Sequence, residues 1–454
     1  MLPVGTFQTK EWKASLKTQK YIPNRNGGMI ILNSTNDREK ILNRDASISH
    51  KSSKAKSDSG GQASFKIGVG GLYITDDDKR MVLDVLNSNR LSYGTYTRSF
   101  EQKFANLHDS RYGVFTNSGT SSLEIAVAAL KEKYGWQNGD EIIVPAITFI
   151  ATSNIVLLNS LVPVFVDVDP LTYNIDPSKI REKITARTRA IIPVHLLGLP
   201  ADMDPIMAIS REFNLIIIED SAETMFARYR GKPVGSFGEI SCFSTYVAHY
   251  IVTGVGGINL TSDPQDAVLL RSLMNHGRDS IYMNIDDDNL SDRNKLHEVV
   301  ERRFNFVRIG YSYRATEMEA ALGLSQLNRY KEIVFKRKEN ADKLVRGLSD
   351  LREFMQLPTV PDGVEHTFML FGLMEKTGSK RELVNYLEDN GIETRDLLPL
   401  INQPIYRKIF GNLDRKYPVA DSINRNGFYI GTHQYLTERD IDYVIKVFHS
   451  FYKR

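Results

Sequence analysis

What this chain lacks narrows it first. Its 454 residues contain one cysteine, Cys242, which excludes an intrachain disulfide and any zinc or iron–sulfur site built from several thiolates. Neither sign of charge dominates: 58 basic against 55 acidic residues leave +3, giving no electrostatic case for a nucleic-acid or membrane partner. No apolar run reaches the roughly 20 residues a spanning helix needs. The amino terminus lacks the basic-then-apolar pattern of a secretory signal, and no internal repeat is visible. The expectation is a cytoplasmic protein with no bound metal. What is present is an ordinary globular balance, 41% hydrophobic and 25% charged, on a chain long enough for two lobes.

Residues 1–66 are rich in Ser, Lys, Asn and Gly, as in "SHKSSKAKSDSGGQAS", and read as a polar, disordered extension. Within them only "MIIL" at 29–32 is apolar enough for a strand. From about residue 74 the texture changes. "TDDDKRMVLDVLNS" and "LEIAVAALKEKYG" read as helices, the first capped by its acidic start. The apolar runs "DEIIVPA", "VPVFVDV", "AIIPVHL", "LIIIED" and "GEISCFS" alternate with helical stretches. That is the pattern of a parallel sheet buried on both faces. "TEMEAALGLSQLNRYKEIVFKRKENADKLVRGL" reads as one or two helices leading out of this lobe, and the remaining mixture of strand and helix as a smaller α+β lobe. The expected division is a large domain over 67–330 and a small one over 331–454.

Ligands of open α/β sheets bind beyond the carboxyl ends of the strands. Four pieces fall there. "NSGTSS" (117–122) precedes a helix, so Ser118, Gly119 and Thr120 offer backbone N–H groups and hydroxyls to a phosphate, although an ordinary N-cap has the same composition. "PAITFIATS" places Phe149 past a strand, where a flat ring could stack; a lone aromatic is more often core. "IIIEDSAE" ends a strand in Glu219 and Asp220, and a carboxylate there can hold a protonated ring nitrogen or simply cap the next helix. "FSTYVAHYIVTGVGG" supplies Ser244, then His249, then glycines that permit close backbone approach. Singly, each bland reading wins; in this order on alternating strands they compose one site.

The stretch from about 67 to the end resembles the sugar aminotransferases of the DegT/DnrJ/EryC1/StrS family. The resemblance is carried by "SYGTYTRSFEQKFA", "TNSGTSSLEIAVAAL", "DEIIVPAITFIAT", "PVHLLGLPADMDPI", "IIEDSAET", "GKPVGSFGEISCFS" and "GYSYRATEMEAALGLSQL". It implies the type I pyridoxal-phosphate fold, an α/β large lobe with a mostly parallel sheet and a smaller α+β lobe. It also implies a homodimer in which each site borrows residues from its neighbour. Five residues beyond Ser244 the family normally has a lysine that binds the cofactor covalently and shuttles protons. Here stands His249. Imidazole cannot form a stable imine with the aldehyde, yet it can move protons. The resemblance therefore narrows to the 3-dehydratases of nucleotide-linked 4-keto-6-deoxyhexoses, which "VAHYI" resembles. These work from pyridoxamine 5′-phosphate and regain it, with L-glutamate as amino donor, from pyridoxal 5′-phosphate.

It further implies that His249 is the catalytic base and the donor to the departing C3 hydroxyl. Ser118, Gly119, Thr120, Phe149, Asp220, Glu223, Ser244 and Ser312 would hold the cofactor. Glu223 stands where Gln or His is usual, and Ser312 replaces an asparagine that reaches the partner subunit's cofactor. His195, His366 and Arg395 fall where substrate contacts are expected. The region 275–317 lacks the cysteines of the iron–sulfur branch, which leaves the cluster-free branch. Competing readings are an aminotransferase whose lysine has been replaced, and a silent paralogue that binds sugar nucleotides.

Overall fold

The computed structural model describes residues 20–23, 29–32, 67–279 and 292–453. The described residues fall into two units, the first holding 20–23 and 29–32, the second 67–279 and 292–453. In the first, β1 (Lys20–Pro23) pairs antiparallel with β2 (Met29–Leu32), so the apolar "MIIL" is a strand. The disorder expected for the rest of 1–66 concerns residues outside those described.

The second unit is built on a seven-stranded sheet. Its strands are β3 (Tyr112–Thr116), β4 (Glu141–Pro145), β5 (Val162–Val166), β6 (Thr188–Ile191) and β7 (Ile216–Asp220). After a two-stranded ribbon of β8 (Arg228–Tyr229) and β9 (Lys232–Pro233) come β10 (Ile240–Ser244) and β11 (Gly257–Thr261). The spatial order is β3-β11-β10-β7-β6-β4-β5. Neighbours from β10 to β5 run parallel, whereas β11 runs antiparallel to both β10 and β3. The parallel sheet read from the sequence is thus mixed by one reversed strand. β4, β10 and β11 are buried along their whole length, which is why β4 and β10 read as continuous runs rather than as alternations.

Helices cover both faces. Asp76–Asn87 starts at Thr75, whose hydroxyl accepts from the Asp78 N–H while the Asp78 carboxylate accepts from the Thr75 N–H. Gly119–Tyr134 starts at Ser118 and stops at Gly135, which takes the left-handed conformation, φ +63°. "TEMEAALGL…" forms two helices, Glu317–Leu327 and Tyr330–Gly347, so the division expected at 330/331 falls at the start of the second. A small antiparallel sheet follows, ordered β12 (Met355–Gln356), β13 (Leu370–Glu375), β15 (Gly427–Gly431), β14 (Thr394–Asp396). It packs on its own apolar cluster, including Phe371, Leu373, Phe428 and Phe448. Among the described residues, no helix is long and apolar enough to cross a membrane.

Candidate active site

A cavity of ≈ 340 Å³ opens at the carboxyl ends of β3, β4, β7 and β10. Ser118, Gly119, Thr120, Phe149, Asp220, Glu223, Ser244 and His249 all line it. The four sequence pieces meet there because each follows a strand whose end faces the same edge of the sheet.

Ser118 caps the helix Gly119–Tyr134, accepting from the Ser121 N–H at 3.0 Å, and its hydroxyl meets that of Ser121 at 2.8 Å. The N-terminal end of the helix therefore presents N–H groups and hydroxyls to the cavity, a setting that favours an anion. A Cβ on Gly119 would stand 2.8 Å from the Ser244 Cβ, so a side chain there would crowd the serine opposite. Gly256, with φ +151°, lets the end of the 245–256 loop close back on Thr245, whose N–H donates to its carbonyl. Phe149 is 59% exposed at the rim.

Asp220, the last residue of β7, is buried and accepts from the Ala222 N–H (3.1 Å) and from the Thr152 hydroxyl (2.7 Å). The Thr152 hydroxyl is itself 2.7 Å from that of Thr148. Burial pushes the Asp220 carboxyl above its usual range, and the Thr152 bond opposes this. Such a carboxylate is under-compensated and suits a protonated nitrogen beside it. Glu223 accepts from the Leu197 N–H at 2.9 Å. Burial, reinforced by the Asp220 charge, pushes it up to about 7.

His249 is held by its own turn. Its backbone N–H donates to the Tyr246 carbonyl at 2.9 Å, and its ring Nδ1 lies 3.1 Å from the same oxygen. Nδ1 must carry the proton in that bond, so Nε2 is left with a free lone pair; no partner for it is found among the described residues. Burial pushes the imidazole down to about 4, with the Arg337 charge adding to the effect. The ring is therefore neutral near pH 7. The loop beyond it is pinned by the Gln326 amide, which donates to the Val252 carbonyl and accepts from the Val252 N–H.

The remaining expectations are redistributed. His195 does not line the cavity: it is fully buried beneath it, its Nε2 3.1 Å from Glu219 and its Nδ1 accepting from the Ala201 N–H. Glu219 also accepts from the N–H groups of Gly235, Phe237 and Gly238, so this pair ties β7 to the next loop. His366 is buried and stacked on Phe368 at 3.7 Å, and its Nδ1 accepts from the Phe368 N–H. Arg395 lies exposed on β14, paired with Glu393 and donating to the Thr394 carbonyl. Ser312 is exposed, accepts from Arg314 at 3.2 Å, and lies outside this cavity. Thr152, Tyr246 and Tyr429 line the cavity without having been singled out by the sequence.

Residues 72–449 match the DegT/DnrJ/EryC1/StrS aminotransferase family. The chain belongs to this family. GDP-perosamine synthase of Escherichia coli O157:H7 is 33% identical over 382 residues, covering 84% of this chain and 96% of its own. GDP-4-keto-6-deoxy-D-mannose 3-dehydratase of E. coli O55:H7 is 30% identical over 380 residues, covering 82% of this chain and 96% of its own. The solved E. coli GDP-4-keto-6-deoxy-D-mannose 3-dehydratase with bound hydrated PLP superposes with a TM-score of 0.77 at 28% identity, over 84% of this chain and 99% of that one. The fold is the type I pyridoxal-phosphate fold, as expected. The expected pyridoxal/pyridoxamine phosphate cofactor agrees with the solved relative. This family member fits it: an anion-favouring helix end, a serine at close approach, an aromatic rim and a buried carboxylate with no cation paired to it among the described residues.

Proposed function

We propose that the protein is a pyridoxamine-phosphate-dependent 3-dehydratase of a nucleotide-activated 4-keto-6-deoxyhexose. The observation that carries this reading is that a neutral histidine, His249, faces the cavity while no lysine is found among the described residues lining it. When bound, the cofactor supplies an amine for the substrate's ketone and a ring that accepts electrons. Asp220 keeps a proton on the ring nitrogen, and Thr148 and Thr152 orient that carboxylate. His249 Nε2 takes a proton as base and returns it as acid to the leaving hydroxyl. Val194, Leu196, Leu123 and Met369 line the rest of the cavity and exclude water. The exposure of Ser312 supports a homodimer in which Ser312 serves the neighbouring site. L-Glutamate is the proposed amino donor, and a surface polysaccharide the proposed destination of the product.

A second reading, an aminotransferase, is favoured by the 33% identity to GDP-perosamine synthase. One experiment separates them. The protein is mixed with pyridoxamine phosphate, GDP-4-keto-6-deoxymannose and glutamate, and product mass is followed. Loss of the C3 oxygen supports the dehydratase; gain of an amine supports the aminotransferase. His249→Asn is expected to abolish deoxygenation with cofactor affinity changed by less than about threefold, and undiminished turnover would remove His249 from the chemistry.

A further inference from the structure

Beside His249 lies a fully buried arginine that, among the described residues, has no acidic partner. Arg337, on the helix Tyr330–Gly347, is 0% exposed, and no carboxylate pairs with it among the described residues. Its guanidinium instead meets three neutral acceptors from three separate segments. Nη2 donates to the His249 carbonyl (3.1 Å), Nη1 to the Met369 carbonyl (2.7 Å) and Nε to the Gln434 side-chain oxygen (3.0 Å). The guanidinium carbon also lies 4.8 Å from the centre of the Tyr250 ring. His249 belongs to the loop after β10, Met369 directly precedes β13, and Gln434 follows β15. A buried charge without a counter-charge is costly, and a planar fork of N–H groups reaching three directions at once is a property that lysine lacks.

We propose that Arg337 is the positioning residue for His249, fixing the imidazole against the small sheet's two central strands so that Nε2 faces the reacting carbon. This rests on His249 being the base. With the N–H and Nδ1 given to Tyr246 and the carbonyl to Arg337, each backbone polar group of residue 249 is bound, and only Nε2 remains for chemistry. The Tyr250 hydroxyl, 2.7 Å from that of Thr367, adds a second tie between the same two segments. The charge of Arg337 also favours the neutral ring. The other ionisable groups facing this space are Asp220, Glu223 and Tyr429 across the cavity and Tyr246 on the same turn.

The test compares Arg337→Lys and Gln434→Leu with the parent in the full-length protein, reading kcat and KM for the sugar nucleotide, cofactor affinity and the ¹⁵N NMR titration of His249. Arg337→Lys keeps the charge and loses the fork. The expected result is a fall in kcat of about 10- to 100-fold, with KM and cofactor affinity within about threefold and the His249 titration nearly in place. Gln434→Leu frees one arm, and its kcat should fall several-fold with KM unchanged; it carries the test if the lysine variant does not fold. Parental kcat in the variants, or losses in KM and cofactor affinity as large as in kcat, would overturn the proposal. His249→Asn run alongside distinguishes the two ideas. If it keeps full turnover the dehydratase reading fails; if it is inactive while Arg337→Lys is normal, only the positioning role fails.

Discussion

Replacing Thr152 by valine tests the electrostatics of the site most directly. The substitution removes the 2.7 Å hydrogen bond to Asp220 while keeping the branched shape of the side chain. A hydrogen bond to a charged group is worth about 1.5–3 kcal/mol. Its loss raises the Asp220 carboxyl further beyond the elevation that burial already imposes. The cofactor's protonated ring requires the ionised carboxylate. Where Asp220 is already ionised in the free protein, the lost bond weakens free and bound states alike, and affinity hardly changes. Where it is protonated, binding must strip that proton, and the full deficit appears as a loss of roughly 10- to 150-fold in Kd. The penalty should therefore grow wherever lowering the pH from 8.5 to 6 protonates the free carboxylate. Absorbance or fluorescence titration of variant and parent with pyridoxamine phosphate across that range measures the ratio, in which the cofactor's own titration cancels. Where an NMR titration shows Asp220 protonated in both free proteins, a ratio of one at that pH would refute the assignment of Asp220 to the ring nitrogen.

Three other expectations concern single side chains. Glu223 is neutral below about 7 and charged above it, placing a second negative charge near Asp220; Glu223→Gln should remove a spectral transition of the bound cofactor near neutral pH, and an unaltered transition would assign it elsewhere. Gly119→Ala puts a methyl group 2.8 Å from the Ser244 Cβ and should weaken cofactor binding by about tenfold with little loss of Tm, an overpacking cost near the low end of about 1–3 kcal/mol; a Kd within twofold of the parent counts against the cradle. His108 gives its Nδ1–H to the Phe104 carbonyl and accepts the Phe226 N–H at Nε2, and burial pushes it down from 6.5 to about 4. The unfolded chain thus binds the extra proton first, so stability is complete above 6.5 and declines toward 4. Between pH 7 and pH 5 this amounts to about 2 kcal/mol, and His108→Gln should flatten the fall in Tm over that interval relative to the parent.

The sequence-legible part of the molecule is the part decided by short-range pattern. Apolar runs bounded by turn residues marked β4, β5, β6, β7 and β10, and strand ends with small hydroxyl residues marked Ser118 and Ser244. The reversed strand β11 was not legible, because "GINLT" carries Asn259 in its middle and takes its direction from pairing rather than from its residues. That asparagine is buried, and its side-chain amide donates at long range to the Ser122 carbonyl and to Cys242 Sγ. Thr152 escaped for the same reason: its partner lies 68 residues away. Arg337 was hidden in the charged run "FKRKENADK", yet it shares the buried stripe of Ile333, Asn340, Ala341 and Leu344. A cation at a stripe position was a signal available in the periodicity. His195 and His366 were transferred to the substrate because they sit near the right strands, but a ring whose Nδ1 accepts a backbone N–H in a fully packed layer serves the fold.

The exchange of an amine for an imidazole also changes what the rest of the cavity must do. A lysine would retain the cofactor through a covalent bond, so the surrounding contacts need only orient it. With His249 in that place, retention falls wholly on non-covalent contacts and follows mass action. The contacts are arranged accordingly: Gly119 and Ser244 approach as closely as a missing Cβ permits, and Asp220 is kept buried at a cost to its charge. On the proposed reading, the same logic explains why His249 is so firmly fixed. A lysine tethered to the cofactor is carried to the reacting carbon by its own bond, whereas a free imidazole has only its turn, the Tyr246 carbonyl and the Arg337 fork to place it there. Losing the tether thus moves the demand for precision from one covalent bond to a set of buried polar contacts, and those contacts are where substitutions should act on turnover before they act on folding.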